Sequence, residues 1–318
     1  MQRVGVDPWG MKVAAETLAG LDSELDRAGD VASDATEPPE IRLAAARLLS
    51  RPGKTRDGAV ALLAGWLVPQ VDPEVQAEAI HSLARSGAAG VPGAFADAWP
   101  ALGPASRTRV VDAWLSRPEW MADLLDRVES GLLAPGNLTL QQRDRLLGSP
   151  DGVLAARAKM LLAGGESANR KDVVARYRSA LEGEGDGTRG RDTYLRVCAA
   201  CHRRGEYGHD VGPNLATVIE HAPERLLANI LDPNADIQPG YQASTCVLAS
   251  GEVVAGLIAA ETGGSVTMKL ADGTVRNIAR AEIDELVTSN RSFMPEGMDE
   301  TVSVEQMADL LAFLRGGL

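Results

Sequence analysis

Apolar positions recur at intervals of three and four through the first half of the chain. The segments PEIRLAAARLL (39–49) and PEVQAEAIHSL (73–83) show this best, and they align at an offset of 34 residues. Ile41 matches Val75, Ala45 matches Ala79, Ala46 matches Ile80 and Leu49 matches Leu83. That spacing predicts amphipathic helices. Each Pro-Glu opens its helix, because proline suits the first turn and a carboxylate suits the positive end of the helix dipole. GAVALLAGWL (58–67) and GAFADAWPAL (93–102) follow as second helices. Pro100 has no backbone N–H to donate, so the latter should end near Trp99. SRTRVVDAWLSR (106–117) with EWMADLLDRVESGLL (119–133), and TLQQRDRLLGS (139–149) with GVLAARAKMLLAG (152–164), supply two further pairs. Paired helices at a period in the thirties to forties predict an α-solenoid over residues 1–180, with an irregular helical bundle as the plainer alternative.

The pattern then changes. LEGEGDGTRG (181–190) is rich in glycine and charge, which marks a domain boundary, and its acidic run reads as a solvated linker. A helix, RDTYLRVC, follows. Between about 241 and 288 the period drops to two: Val266, Met268 and Leu270 alternate with Thr267 and Lys269. Ser250-Gly251, Gly263-Gly264 and Asp272-Gly273 are hairpin-type turns, so about four short strands are expected in a small antiparallel module. VEQMADLLAFLRG (304–316) returns to helix, with Val304, Met307, Leu310, Leu311 and Leu314 on one face. The expected fold is mainly α, with an N-terminal helical domain over 1–180 and a second domain over 181–318.

Composition agrees with two globular units. The chain has 318 residues, 45% hydrophobic and 24% charged. All five tryptophans (9, 66, 99, 114 and 120) fall in the first 120 residues, which points to two unlike cores. A net charge of −12 repels phosphate backbones and anionic lipid, so nucleic-acid and membrane-surface roles are not expected. No apolar run approaches the ~18–20 residues of a membrane span. The opening MQRVGVDPWG does not read as a signal peptide, so the chain is read as one whose signal was removed or as a piece of a longer protein. The three cysteines form one local pair and Cys246; the pair is too close to staple a long loop.

That pair lies in RVCAACHRRGEYGHDVGPNL (196–215), and three chemistries compete for it. Zinc needs four ligands, whereas Cys198, Cys201 and His202 offer at most three, and adjacent Cys201 and His202 do not easily reach one metal. A redox dithiol usually opens a helix after a strand, whereas these cysteines end a helix. Covalent haem needs two thiols three apart and an imidazole next to the second, which is the c-type attachment spacing. It also needs a second axial ligand. SFMPEGM (292–298) offers Met294, placed just before a proline in a loop, and Met/His ligation raises the reduction potential.

The residues GRDTYLRVCAACH, VGPNL, ANILDPNADIQPGY, GEVVAGLIAAET, SFMPEGM and ADLLAFL occur in order across 190–314. Together they resemble the haem-binding c-type domain found in planctomycetes and verrucomicrobia. In that family the domain is typically preceded by HEAT-like helical repeats and often by a propeller dehydrogenase-like domain. The resemblance implies a class I cytochrome c-like fold carrying the β module as an insertion at about 241–288. It implies one covalent haem c, with Cys198 and Cys201 as thioether anchors and His202 and Met294 as the iron ligands. Gly212 and Pro213 would form the turn whose proline carbonyl accepts the imidazole N–H. Gly190 and Tyr194 would cross the last helix near Leu310 and Phe313. The family often has leucine where this chain has Phe293, which leaves the ligand itself untouched.

The function so implied is electron transfer, serving a redox partner protein or a fused dehydrogenase, in a periplasmic or otherwise extracytoplasmic place. It implies no enzyme activity of the chain's own. Two alternatives stand beside it: a non-redox helical-repeat interaction protein with a structural metal or haem, and a haem sensor or catalyst with a labile sixth ligand. His209 and His221 are weaker candidates for the distal ligand, and Met298 reads as packing. His81 reads as a structural histidine and Cys246 as a buried thiol in a strand. Arg203 and Arg204 are candidates to pair with haem propionates.

Overall fold

The computed structural model describes residues 4–6, 12–34, 36–50, 57–162, 170–218 and 220–316; Trp9 and the end of the 152–164 segment lie outside them. A short antiparallel hairpin, β1 (Val4–Val6) and β2 (Lys12–Ala14), leads into α1 (Ala15–Ser33). None of the three follows from the large-residue periodicity. The described part of α1 buries Leu25, Ala28 and Ala32, so alanine supplies much of its inward face.

Eight further helices follow: α2 (Pro39–Leu49), α3 (Asp57–Ala64), α4 (Pro73–Ser86), α5 (Val91–Ala98), α6 (Pro104–Trp114), α7 (Pro118–Glu129), α8 (Leu140–Leu147) and α9 (Gly152–Leu162). Proline stands first in α2 and α4, and Asp72 caps α4 by accepting the Glu74 N–H at 2.7 Å. Pro100 ends α5 as expected, and Trp99–Ala101 close as a 3-10 turn. The helices stack in two layers: α2, α4 and α6 pack in succession, and α3, α5, α7 and α9 pack beside them. Polar links repeat between successive members of the first layer. Arg85 Nε donates to Ser50 at 3.0 Å, Ser106 donates to Gln76 at 2.7 Å, and Gln142 donates to the Thr108 carbonyl at 3.1 Å. Between the layers lies a core centred on Phe95, Trp99 and Trp114.

The C-terminal unit contains α10 (Lys171–Arg176), α11 (Gly187–Val197) and α12 (Pro223–Leu231) before the sheet, and α13 (Met298–Thr301) and α14 (Val304–Arg315) after it. Its core joins Tyr194, Leu227 and Leu231 to Met307, Leu310, Leu311 and Leu314. Val173, Val174, Tyr177 and Ala180 belong to the same core, and Tyr177 donates its hydroxyl proton to the Val302 carbonyl at 2.6 Å. The core of this unit thus draws on residues that precede 181. The glycine-rich stretch at 181–190 is a bend inside it rather than a free linker. Gly185 runs so close to α14 that a Cβ there would meet the Ala308 carbonyl oxygen at 2.2 Å, and the Asp186 N–H is accepted by Asp309 at 2.7 Å.

Five strands form the sheet, where about four were expected: β3 (Gln242–Leu248), β4 (Val253–Glu261), β5 (Ser265–Lys269), β6 (Val275–Ala279) and β7 (Ile283–Ser292). All neighbours are antiparallel in the order β6-β5-β4-β3-β7. The strands run to Ser292, near the end expected at about 288. β7 escaped the alternation test because only Ile283, Leu286 and Thr288 of its ten residues are buried, at irregular spacing.

The sheet is fastened to the helical layers along β7. Gln70 donates to the carbonyls of Ile283 and Asp284, both at 3.1 Å, and Asn290 donates to those of Gly131 and Leu132. Arg107 of α6 is buried and lies over the Trp99 ring at 4.8 Å. It donates to the carbonyls of Thr288 at 2.6 Å and Trp99 at 3.1 Å. Burial pulls its guanidinium down to about 9. Arg107→Ala would strip donors from three carbonyls, those of Thr288, Trp99 and Pro100, and leave a hole. We expect a stability loss of about 2–4 kcal/mol, read from the shift in denaturant midpoint. A loss below about 0.5 kcal/mol, the range of inert surface substitutions, would rule out a fastening role.

Candidate haem site

Asp186 opens α11 by accepting the N–H groups of Thr188 and Arg189 at 2.7 and 3.2 Å. The helix ends at Cys198, whose N–H still reaches the Tyr194 carbonyl at 2.8 Å. One further turn, with the His202 N–H on the Cys198 carbonyl at 2.9 Å, carries Cys198, Cys201 and His202 out from the helix end. Tyr194 fastens that turn from inside. Its ring packs on Phe313 of α14 at 5.3 Å, and its hydroxyl donates to the His202 and Tyr207 carbonyls at 2.7 and 3.1 Å. The chain then folds back, and the Cys201 carbonyl accepts the N–H groups of Val211 and Gly212 at 3.0 and 2.7 Å.

This return places Pro213 against the imidazole. His202 Nδ1 lies 2.8 Å from the Pro213 carbonyl oxygen. A carbonyl only accepts, so Nδ1 carries the proton and Nε2 keeps its lone pair free. Burial lowers the His202 pKa, with the Pro213 contact opposing it, so the ring is held neutral. Gly212 stands directly against the ring; a Cβ there would lie 2.5 Å from Cε1, 2.8 Å from Nδ1 and 3.0 Å from Nε2.

Cys198 packs against the apolar core of the C-terminal unit. Burial, with a smaller contribution from Cys201, pushes the Cys198 thiol up to about 12, and burial also raises Cys201. Reactive dithiols and metal thiolates have the opposite tuning. A neutral thioether avoids the cost of a buried anion. Among the described residues, no three His, Cys, Asp or Glu side chains gather as a metal site, so zinc finds no donor set there.

Met294 follows β7 directly. The first and last strands of the insertion pair with each other, Gln242 opposite Ser292, and the Phe293 N–H continues the ladder to the Tyr241 carbonyl at 3.0 Å. The chain thus leaves the sheet beside the residue from which it entered. A long gap from Cys201 to Met294 is compatible with a compact site for this reason. The Met294 N–H is taken by Ser292 Oγ at 3.1 Å. Met294 is half-buried and belongs to no apolar core, whereas Met298 packs into the C-terminal core.

The remaining candidates have other occupations. Arg204 is buried over the Phe313 ring at 4.6 Å and donates to the Phe313 and Gly316 carbonyls, tying the loop to the C-terminus of α14. Arg203 pairs with Asp210 at 3.1 Å on the surface. His209 is exposed and lies beside Gly273 in the β5–β6 turn. His221 is half-buried ahead of α12, His81 is exposed on α4, and Cys246 is fully buried in β3. Two residues of consequence were not anticipated: Tyr194 as a fastener of the histidine turn, and Asn234 beside the Met294 loop. Asn234 lies in the segment ANILDPNADIQPGY, whose sequence carries no chemistry by itself.

Comparison with known families agrees with this geometry. The model of the family described as cytochrome c oxidase, cbb3-type, subunit III matches residues 185–247. The match spans α11, the cysteine turn, α12 and the start of the sheet, and stops short of Met294. No curated protein matches the chain. The matched region is a c-type cytochrome domain, and with Cys198 and Cys201 it carries a covalently bound haem c with its iron. The residues present fit that group: two sulfurs on one turn, a neutral imidazole with Nε2 bare, and a glycine where any side chain would strike the ring. A c-type cytochrome domain serves haem-based electron transfer and implies redox partners. Among the described residues no helix is long and apolar enough to cross a membrane.

Proposed function

We propose that the C-terminal unit is a class I cytochrome c-like electron carrier in which His202 and Met294 are the two axial ligands of the haem iron. The haem supplies reversible one-electron chemistry. Cys198 and Cys201 anchor its edge. His202 donates Nδ1–H to Pro213, which orients the ring and strengthens Nε2 as a donor. Met294 would supply the second ligand from the protein, which would leave no coordination site open for a substrate. The observation that carries this reading is the hold on Met294. Its backbone is held through the Phe293 and Met294 N–H groups, yet its side chain is not used to fill a core.

The helical layers serve as a docking surface or spacer beside a redox partner protein or a fused dehydrogenase. Their two-layer stacking supports a HEAT-like solenoid. The fastening along β7 makes the spacer and the haem unit move together. Attachment of haem to cysteines supports a periplasmic or otherwise extracytoplasmic location. The motifs across 190–314 support the planctomycete and verrucomicrobial type of domain.

The test is the visible spectrum of matured protein, oxidised and reduced, with and without Met294→Ala. The wild type should show a long-wavelength sulfur-to-iron band when oxidised and should resist CO when reduced. Met294→Ala should lose the band, bind CO readily and have a lower reduction potential. A wild-type protein that lacks the band and binds CO as fast as the variant would overturn His/Met ligation and favour a sensor or catalyst.

A further inference from the structure

The segment after α12 lies where the Met294 loop must be held, and one side chain in it touches both ends of that loop. Asn234 Oδ1 accepts the Ser292 N–H at 2.7 Å. Asn234 Nδ2 donates to the Glu296 carboxylate. Between these points the Phe293 and Met294 N–H groups are also taken, by the Tyr241 carbonyl and by Ser292 Oγ, and Pro295 has no N–H. Every backbone donor from 292 to 295 is therefore accounted for. Among the described residues Asn234 alone spans the methionine, from two residues before it to two residues after.

Its own position is well supported. Asn234 stands three residues beyond α12, whose Leu226, Leu227 and Leu231 are buried in the C-terminal core. On its other side, Asp236 pairs with Arg143 at 2.6 Å, and Ile237 is buried against Gly136 of the helical layers, where a Cβ would come within 2.3 Å of its carbonyl oxygen. The segment is thus clamped at both ends, and Asn234 projects from a fixed base. An amide carries its acceptor and its donor on separate atoms, so the oxygen can take a backbone N–H while the nitrogen donates to a carboxylate. Aspartate keeps only the first contact and faces Glu296 with a like charge; alanine keeps neither.

We propose that Asn234 is a positioning residue for the distal sulfur: it clasps residues 292 and 296 together and thereby keeps Met294 in place. The inference rests on the reading that Met294 is the distal ligand. It gives the DPNAD part of the sequence a role in setting how often the sulfur leaves the iron.

Four variants of the full, haem-loaded chain decide it: Asn234→Ala, Asn234→Asp, the double variant N234D/E296Q, and Met294→Ala. The readouts are the sulfur-to-iron band of the oxidised form and the rate at which the reduced form binds CO, which reports the fraction of open loop. Loss of a hydrogen bond to a charged partner should raise that fraction about tenfold in Asn234→Ala, and at least as much in Asn234→Asp. In N234D/E296Q the glutamine amide can donate back to the aspartate, and the rate should return to within about threefold of wild type. If Asn234→Ala does not fold, the single and double aspartate variants carry the comparison.

The proposal is overturned if the Asn234 variants keep the band and a CO rate within about twofold of wild type while Met294→Ala abolishes the band. It is equally overturned if the double variant stays as open as Asn234→Asp, since a carboxylate–amide pair would then not substitute for an amide–carboxylate pair. If Met294→Ala itself leaves the spectrum unchanged, the ligand assignment fails, and the clasp loses its purpose with it.

Discussion

Gly190→Ala is expected to part α11 from α14 and to unfold the unit that presents the cysteines. A Cβ at this position would stand 2.0 Å from the Asp309 carbonyl oxygen, 2.6 Å from its carbon and 2.8 Å from Phe313 Cβ. These are backbone and near-backbone atoms of a helix, and a helix cannot yield locally by that much. The helices would have to separate as wholes. Separation would loosen the Tyr194–Phe313 contact, and with it the hydroxyl that fastens the His202 turn. It would also pull on Asp309, which accepts from the Asp186 N–H and pairs with Arg189 at 2.7 Å. Overpacking of this kind costs about 3 kcal/mol or more. The denaturant midpoint of the holoprotein and the yield of covalent haem on a denaturing gel measure it. Gly187→Ala is the control: its Cβ would meet Phe313 at an ordinary 3.9 Å, and a shift within about 1 kcal/mol is expected there. Equal tolerance at both positions would show that the close crossing is not needed.

Gly212→Ala should strike the imidazole instead of the fold. The new methyl would occupy space within 2.5–3.0 Å of three ring atoms of His202. Neither partner can withdraw freely. The Gly212 N–H is bonded to the Cys201 carbonyl at 2.7 Å, and the ring is held by Pro213 at 2.8 Å. The ring must tilt, and the Nδ1–H contact to Pro213 must lengthen or break. We expect a stability loss of about 1–3 kcal/mol together with a high-spin fraction in the visible spectrum, from iron whose proximal nitrogen is displaced. A variant destabilised to this degree but spectrally identical to wild type would mean that the loop moves and the ring does not. The seat of His202 would then not depend on the absence of a side chain.

Both effects depend on contacts between residues far apart in the chain, and this separates what was legible in the sequence from what was not. The helices of the first half could be read directly. Their apolar residues repeat at three and four because each helix must turn the same face inward, and Pro-Glu marks their starts at 39 and 73. The turns at Gly251 and Gly273 were readable because their backbones take φ of +84° and +82°, which glycine adopts without strain. The cysteine pair and its histidine announce their chemistry because covalent attachment demands neighbours.

What escaped has a common cause. α1 hides its inward face in alanine, and β7 lacks the alternation that marks a half-buried strand. The packing of Val173, Val174 and Tyr177 in the C-terminal core was obscured because they precede the glycine-rich stretch.

The sequence by itself determined the local elements, the cysteine–histidine turn and the candidacy of one methionine, because each is a pattern among residues a few positions apart. Only the tertiary structure decided that Arg204 ties a helix end, that Asn234 spans the methionine loop, and that Arg107 fastens the sheet. These roles come from hydrogen bonds and close approaches between segments separated by tens to hundreds of residues. Their partners carry no periodic mark, so they are set only when packing brings the two stretches of backbone together.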